Sequence, residues 1–311
     1  MRISSTPIFD DPQLSLNNAS QTLISADSTA EEKTAAHETI VSYIRKHAPK
    51  ASGADYRVME YNILRDGDGW GWASLTEPGV GCAQRAELLC AIVDGYQPDI
   101  IGFTERYDCW EEEANLTSRL SAYGYAVAES EMPAELKNTY LLTDDRDYNR
   151  NLLAYNDEVF DLVSSETVAI QDYATMNYRA VTCVILHDTE KNQDVAFFVT
   201  HWEAQARGEK THAEMLGENA EKMSAQINAF LTGKTDIPAI GMGDFNAVSS
   251  HSAFQALLQN CGFSDVAEFA EQINHIVIKN CQVLAAHKDT EPYTGYTSDH
   301  KPIYCDIKNG G

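Results

Sequence analysis

An α/β fold, with sheets covered by helices, is predicted for this chain by three observations. From residue 56 onward apolar strands alternate with amphipathic helices, the pattern of layered sheets and helices. The strands are near-continuous apolar runs, such as DIIGFTE and VAFFVTHW, so both their faces are buried. The 311 residues are 43% hydrophobic, close to the ordinary globular share of about 45–50%, which excludes a disordered chain. Length alone suggests about two domains, although single folds of roughly 250 residues are common.

Taken in order, residues 1–55 differ in texture from the rest. DPQLSLNNASQTLISADST is polar and turn-rich. Ser28 and Glu31 make a capping-box pattern, and AEEKTAAHETIVSYIRKHA (30–48) has Ala36, Ile40, Ile44 and His47 near helical spacing. One amphipathic helix is expected here, ended by Pro49 and Gly53. The segment is either an appendage on a main domain spanning 56–308 or the remnant of a neighbouring one. YRVMEYNIL (56–64) reads as a strand, CAQRAELLCAIVDGY (82–96) as a helix stopped by Pro98, and DIIGFTE (99–105) as a buried strand. NLLAYN, FDLVSSETVAI, RAVTCVILH and VAFFVTHW are further strands. HAEMLGENAEKMSAQINAFL (212–231) keeps the 3.6 period through Leu216, Ala220, Met223, Ile227 and Phe230. IPAIGMGDFNA is a buried strand entering a loop. SAFQALLQNCGF is a helix closed by Gly262, and INHIVIK and KPIYCDI are the last strands. The run EEE at 111–113 reads as the acidic first turn of a solvated helix.

Charge narrows the partners. There are 23 Lys and Arg against 47 Asp and Glu, a net charge of -24. Non-specific duplex binding draws on Lys and Arg neutralising phosphates, and no basic block occurs, so tight duplex nucleic-acid binding is not expected. A smaller phosphorylated substrate is allowed. No run of about 20 apolar residues exists, so no membrane span is expected. The seven cysteines are odd in number, with no C-x-x-C, and several sit in apolar runs. Buried free thiols and a reducing compartment are expected. MRISSTPIFDD lacks the apolar core of a secretion signal. A cytoplasmic location is favoured, or an extracellular one if a leader precedes this chain, and a monomer is expected.

Five apolar strands meet polar residues suited to metal and phosphate chemistry. Asn62 follows RVMEY, Glu105 follows DIIGFT, and His201 follows VAFFVT. Asp244 and Asn246 follow IPAIGMG, and Asp299 and His300 precede KPIYCDI. Hard divalent cations take carboxylate and amide oxygens. Phosphoryl chemistry calls for a metal, an oriented water and hydrogen-bond donors.

The strings RVMEYNIL, QPDIIGFTE, VTHW, GDFNA and SDHKP, in this order, resemble the motifs of the endonuclease/exonuclease/phosphatase superfamily, the deoxyribonuclease-I-like fold. The resemblance spans roughly Tyr56 to Ile307. It implies a four-layered α/β/β/α sandwich, two mixed β-sheets packed face to face with helices outside, and a site at one end. It also implies a metal-dependent phosphoesterase using Mg²⁺ or Mn²⁺. Glu105, Asn62 and Asp299 would serve the metal. His201, Asp244, Asn246, His300 and Asn274 would form the catalytic set, with Asp244 activating water and His201 and His300 donating to the phosphate. In-line water attack on a small organophosphate or lipid head group, most readily a diester, is the expected reaction; a nuclease is the alternative. Arg179, Asn151 and Tyr155 lie near strands that approach the substrate in such enzymes. Trp70 and Trp72, in the loop RDGDGWGW, are positioned in sequence to stack on a substrate ring or to anchor that loop.

One position departs from the pattern. Asn274, in INHI, stands where the family has an aspartate that holds the catalytic histidine. A tolerated variant, a weakened enzyme or a non-catalytic binding module are the readings this leaves open. From sequence alone, Asn274→Asp is expected to raise turnover. His275 beside it is expected in the core or just behind the site.

Overall fold

The computed structural model describes residues 11–64, 80–130, 151–171, 179–206 and 208–310. Two six-stranded mixed sheets lie face to face. The first has strand order β11-β12-β1-β2-β4-β3: β11 (Cys281–Lys288), β12 (Ile303–Asn309), β1 (Tyr56–Asn62), β2 (Ile100–Thr104), β4 (Leu152–Asn156) and β3 (Tyr125–Val127). The second has order β5-β6-β7-β8-β10-β9: β5 (Phe160–Ala169), β6 (Ala180–Asp188), β7 (Gln193–His201), β8 (Ala239–Asp244), β10 (Asn274–Lys279) and β9 (Ser264–Asp265). Among the described residues there are seven α-helices. They are α1 (Pro12–Ile24), α2 (Ala30–His47), α3 (Cys82–Tyr96), α4 (Asp108–Glu112), α5 (Leu116–Ser121), α6 (His212–Phe230) and α7 (Ser252–Cys261).

The period-2 geometry of the strands sorts side chains into three cores. Val58 on β1, Ile100 on β2, Phe197 and Val199 on β7, Ile240 and Met242 on β8, and Ile276 on β10 fill the space between the sheets. Met59, Tyr61, Ile101 and Phe103 point the other way, onto α1, α2 and α3. Val181, Cys183 and Phe198 face α6 and α7. The sheets approach closely at Gly102, where an added Cβ would lie 2.4 Å from Met242 Sδ. The four layers expected from the motif resemblance are the layers observed.

Several elements differ from the sequence reading. The turn-rich stretch before Ser25 forms α1, started by Asp11 accepting from the Gln13 amide and by Pro12 in the first turn. Its buried face is Leu16, Ala19, Ser20, Leu23 and Ile24, a helical spacing built partly from small and polar residues. The capping box of α2 lies one residue later than expected: Thr29 and Glu32 exchange the two hydrogen bonds. Glu111 and Glu112 close α4 rather than open a helix, and Glu111 pairs with Arg106 at 2.8 Å. Not all thiols are free, because Cys82 and Cys109 form a disulfide with Cα atoms 5.9 Å apart. Cys90, Cys183, Cys261 and Cys305 are free and buried, as expected. No described helix is long and apolar enough to cross a membrane.

Residues 48–57 are tied in by a buried ion pair. Arg57 on β1 faces Asp306 on β12 and makes a two-pronged contact of 2.7 and 2.8 Å. Its remaining nitrogen donates to Ala48 O at 2.7 Å and Tyr96 O at 3.2 Å. One cation therefore closes the carboxyl ends of both α2 and α3, where helix dipoles favour positive charge. The two side chains are 2% and 1% exposed. Removing one strands the other charge, so Asp306→Asn is expected to lower stability by about 3–5 kcal/mol. The check is a fall in the urea midpoint with an unchanged slope.

Candidate active site

The site forms where strand ends from both sheets meet. β1 and β2 run parallel, with Asn62 opposite Thr104, so Asn62 and Glu105 leave the first sheet side by side. β7 and β8 are also parallel, with His201 opposite Asp244. β10 runs antiparallel to β8 and starts there, with Asn274 opposite Asp244. His201, Asp244 and Asn274 thus lie abreast on three adjacent strands, about 4.8 Å apart. Asn62, His201, Asp244 and Asn274 share the strand parity of the inter-sheet core, so their side chains enter the gap between the sheets.

Asp244 is the centre, with its side chain buried. Asn62 Nδ2 donates to Asp244 Oδ2 and to Glu105 Oε1, both at 3.2 Å. The backbone amide of Asn246 donates to Asp244 Oδ1 at 2.9 Å. His201 Nε2 stands 3.5 Å and His300 Nε2 3.7 Å from Asp244 Oδ2. His300 Nε2 is also 4.0 Å from Asp299 Oδ1. Burial pushes the Asp244 carboxyl up from its ordinary value, against the His300 charge and the Asn246 amide, and Glu105 adds to the rise. A carboxylate raised in this way is a stronger base.

The local backbone explains the motif residues. Gly243 has φ +154°, and a Cβ there would lie 1.9 Å from the Thr200 carbonyl oxygen of β7. Only glycine lets β7 and β8 close up beside His201 and Asp244. Asn246 adopts φ +49° and its Nδ2 donates to Trp202 O at 2.9 Å, which ties the loop after β8 to the end of β7. Trp202 is fully buried against Phe245 and Phe254. Glu105 has φ +62°, a conformation that costs a non-glycine residue about 1 kcal/mol or more. Ser298 Oγ donates to Asn62 O at 2.6 Å and accepts from the His300 amide at 3.1 Å, fastening the S-D-H turn to β1.

Asn274 Oδ1 accepts from His300 Nδ1 at 2.7 Å. An amide oxygen only accepts, so the proton of this contact is on Nδ1. Behind Asn274 lies a residue that the sequence reading missed. Glu60 on β1 is fully buried, and its two oxygens lie 3.0 and 2.9 Å from Asn274 Nδ2. Burial pushes its carboxyl well up, and the Asp244 charge adds to the rise. The signal was present: Glu60 is two residues before Asn62, on the strand face that also carries Tyr56 and Val58. His275 is buried and reaches Ala247 O at 2.9 Å and Asp265 Oδ1 at 3.2 Å, on the far face of β10.

The outer residues divide. Arg179, just before β6, ends at the same edge as His201 and pairs with Glu203 at 3.5 Å. Asn151 Nδ2 donates to Ala180 O at 2.8 Å and joins the two sheets near that edge. Tyr155 is placed away from the site: it pairs with Ile100, at the opposite end of β2 from Glu105, roughly 16 Å along the strand. Trp70 and Trp72 lie outside the described residues.

The donor set suits a hard cation. Among the described residues no three acidic, His or Cys side chains converge into a cage. Mg²⁺ does not need one, since it keeps several waters and takes one or two carboxylates. Glu105 offers such a carboxylate at the mouth of the site and Asp299 another. Asn62 Oδ1 accepts from the Leu64 amide at 3.0 Å, so in this structure Asn62 acts mainly as a donor between carboxylates.

The chain matches the model of the endonuclease/exonuclease/phosphatase family over residues 84–281, close to two thirds of its length. It belongs to that family. Asn62, Asp299 and His300 lie beyond the matched stretch and join the site through the geometry above. Solved structures share the fold. The human Nocturnin catalytic domain is 19% identical, with a TM-score of 0.63 over 84% of this chain and 96% of that one. ANGEL2, a 2',3'-cyclic phosphatase, is 13% identical, with a TM-score of 0.66 over 84% and 98%. The mannosyl-6-phosphatase Bt3783 of Bacteroides thetaiotaomicron is 17% identical, with a TM-score of 0.60 over 81% and 99%. No curated protein sequence matches the chain significantly.

Gly243→Ala is expected to force β8 from Thr200 and displace Asp244. A misplacement of about 1 Å can cost roughly 100-fold in rate. A well-folded Gly243→Ala protein with full phosphoesterase activity would show that the close approach is not needed.

Proposed function

We propose that this chain is a divalent-cation-dependent phosphoesterase that hydrolyses a small phosphorylated molecule or a lipid head group, a diester in preference to a monoester. The observation that carries this reading is the convergence of Asn62, Glu105, His201 and His300 on one buried carboxylate, Asp244. A water held by Asp244 would lose its proton to Oδ2 as it attacks phosphorus, while Asn246 keeps the carboxylate aimed. His201 would donate to the phosphoryl oxygens as charge builds, and His300 would do so from Nε2 in its doubly protonated form, with its Nδ1–H held by Asn274. Mg²⁺ or Mn²⁺, held by Glu105 with Asp299 and water, would neutralise charge on a phosphoryl oxygen.

The diester preference follows from charge. A monoester brings close to two negative charges at neutral pH, a diester one, into a site already holding Glu105, Asp244 and Asp299. The net charge of -24 supports a small substrate over a long polyanion. Two of the neighbouring folds are phosphatases, of mannosyl-6-phosphate and 2',3'-cyclic type, which supports the same class.

Two outcomes are expected. Excess chelator abolishes hydrolysis of a model phosphodiester. Mg²⁺ raises the melting temperature of the native protein by linkage but has little effect on Glu105→Gln. Full activity in chelator would sink the metal-dependent reading. Separately, binding to non-specific duplex DNA at physiological salt is expected to be weaker than about 1 µM, because counterion release has few cations to draw on. Sub-micromolar binding with a steep salt slope would instead favour a nuclease.

A further inference from the structure

Glu60 is a buried carboxyl beside the site that the hydrolytic steps above leave without a role. It does not reach the mouth of the site. Its side chain points from β1 into the gap between the sheets and meets β10 there. Both oxygens contact a single atom, Asn274 Nδ2, at 3.0 and 2.9 Å, and the other end of the same amide receives His300 Nδ1 at 2.7 Å. Three side chains from β1, β10 and the S-D-H turn therefore form one chain of hydrogen bonds ending at His300.

We propose that Glu60 is a positioning residue: by holding the Asn274 nitrogen between its two oxygens, it keeps Asn274 Oδ1 against His300 and sets which His300 nitrogen carries the proton. An amide can turn over and present either its oxygen or its nitrogen. With both Glu60 oxygens held within 3.0 Å of Nδ2, the nitrogen end is the one engaged, and an amide oxygen turned toward the ionised carboxylate gains nothing and loses its partner. Glu60 thereby removes the ambiguity that an asparagine introduces at this position. The carboxyl that the family places in direct contact with the histidine is present in this chain, one side chain further back. The role is read from the contact geometry, in which both Glu60 oxygens face the Asn274 nitrogen.

The inference rests on the phosphoester-hydrolysis reading, and the effect of replacing Asn274 follows from it. In the native protein Asn274→Asp adds a carboxyl against one already there, so the gain expected from sequence alone should vanish. In a Glu60→Gln background the same change should help. The amide introduced by Glu60→Gln meets Asn274 nitrogen to nitrogen unless one of the two turns over, and a turned Asn274 offers His300 a donor instead of an acceptor. When Asn274→Asp is added, the introduced amide donates to one oxygen of the new carboxylate and His300 Nδ1 donates to the other.

The test measures kcat on bis(p-nitrophenyl) phosphate at saturating Mg²⁺ in four proteins: native, Glu60→Gln, Asn274→Asp and both together. The expected result is about a 10-fold or larger loss for Glu60→Gln. Adding Asn274→Asp to it should give about a 10-fold recovery, and adding Asn274→Asp to the native protein little or none; coupling of this size is usual for contacting residues. Equal effects of Asn274→Asp in both backgrounds would overturn the proposal. A second readout needs no activity and no variant. Nitrogen-15 shifts of the neutral His300 ring in the native protein should show the proton on Nδ1, and a bare Nδ1 would overturn the proposal. A native protein that hydrolyses no phosphoester under any metal condition, yet shows the Nδ1 proton, would count against the functional reading and leave the positioning role supported.

Discussion

The hydrogen bond from Asn62 to Asp244 crosses from one sheet to the other, and the site depends on it. Asn62 ends β1 in the first sheet and Asp244 ends β8 in the second. Neither sheet alone brings this carboxylate together with its donors. The contact is possible because the sheets come close, and they do so where Gly102 admits Met242. It also requires β7 to lie tight against β8, which Gly243 permits. Once Asp244 is held between sheets, its burial follows. From burial come the raised carboxyl and the close company of two histidines.

Much of this was legible in the sequence because the site is built from strand ends. A strand buried on both faces is a run of apolar residues, and a polar residue closing such a run stands out. Asn62, Glu105, His201 and Asp244 are visible for that reason. What was not legible depends on pairings across long sequence distances. Tyr155 sits on the right strand, yet the β2–β4 register places it at the wrong end. Cys82 and Cys109 are far apart in sequence and meet only because α3 and α4 pack together. Helix α1 escaped notice because Ala19 and Ser20 contribute to a buried face that hydropathy alone does not reveal.

Glu60 shows a different limit. Its strand parity with Asn62 was available, but its meaning appears only when β1 and β10 face each other across the gap. An asparagine in place of an aspartate, considered alone, reads as a lost charge and a weakened histidine. With Glu60 behind it, the same asparagine is one link in a connected and fully satisfied polar network, the condition under which buried polar groups add order rather than cost. The unit that bears on His300 is the pair of residues, not either position singly.

Hydrolysis of a phosphodiester in ¹⁸O-labelled water with Mg²⁺ measures most directly whether water held by Asp244 attacks phosphorus. Attack at phosphorus places one heavy oxygen in the phosphoryl product, and Asp244→Asn should lower the rate of that incorporation by a factor on the order of 10² to 10⁴. Label appearing in the alcohol product instead, or incorporation at an undiminished rate in a folded Asp244→Asn protein, would contradict it.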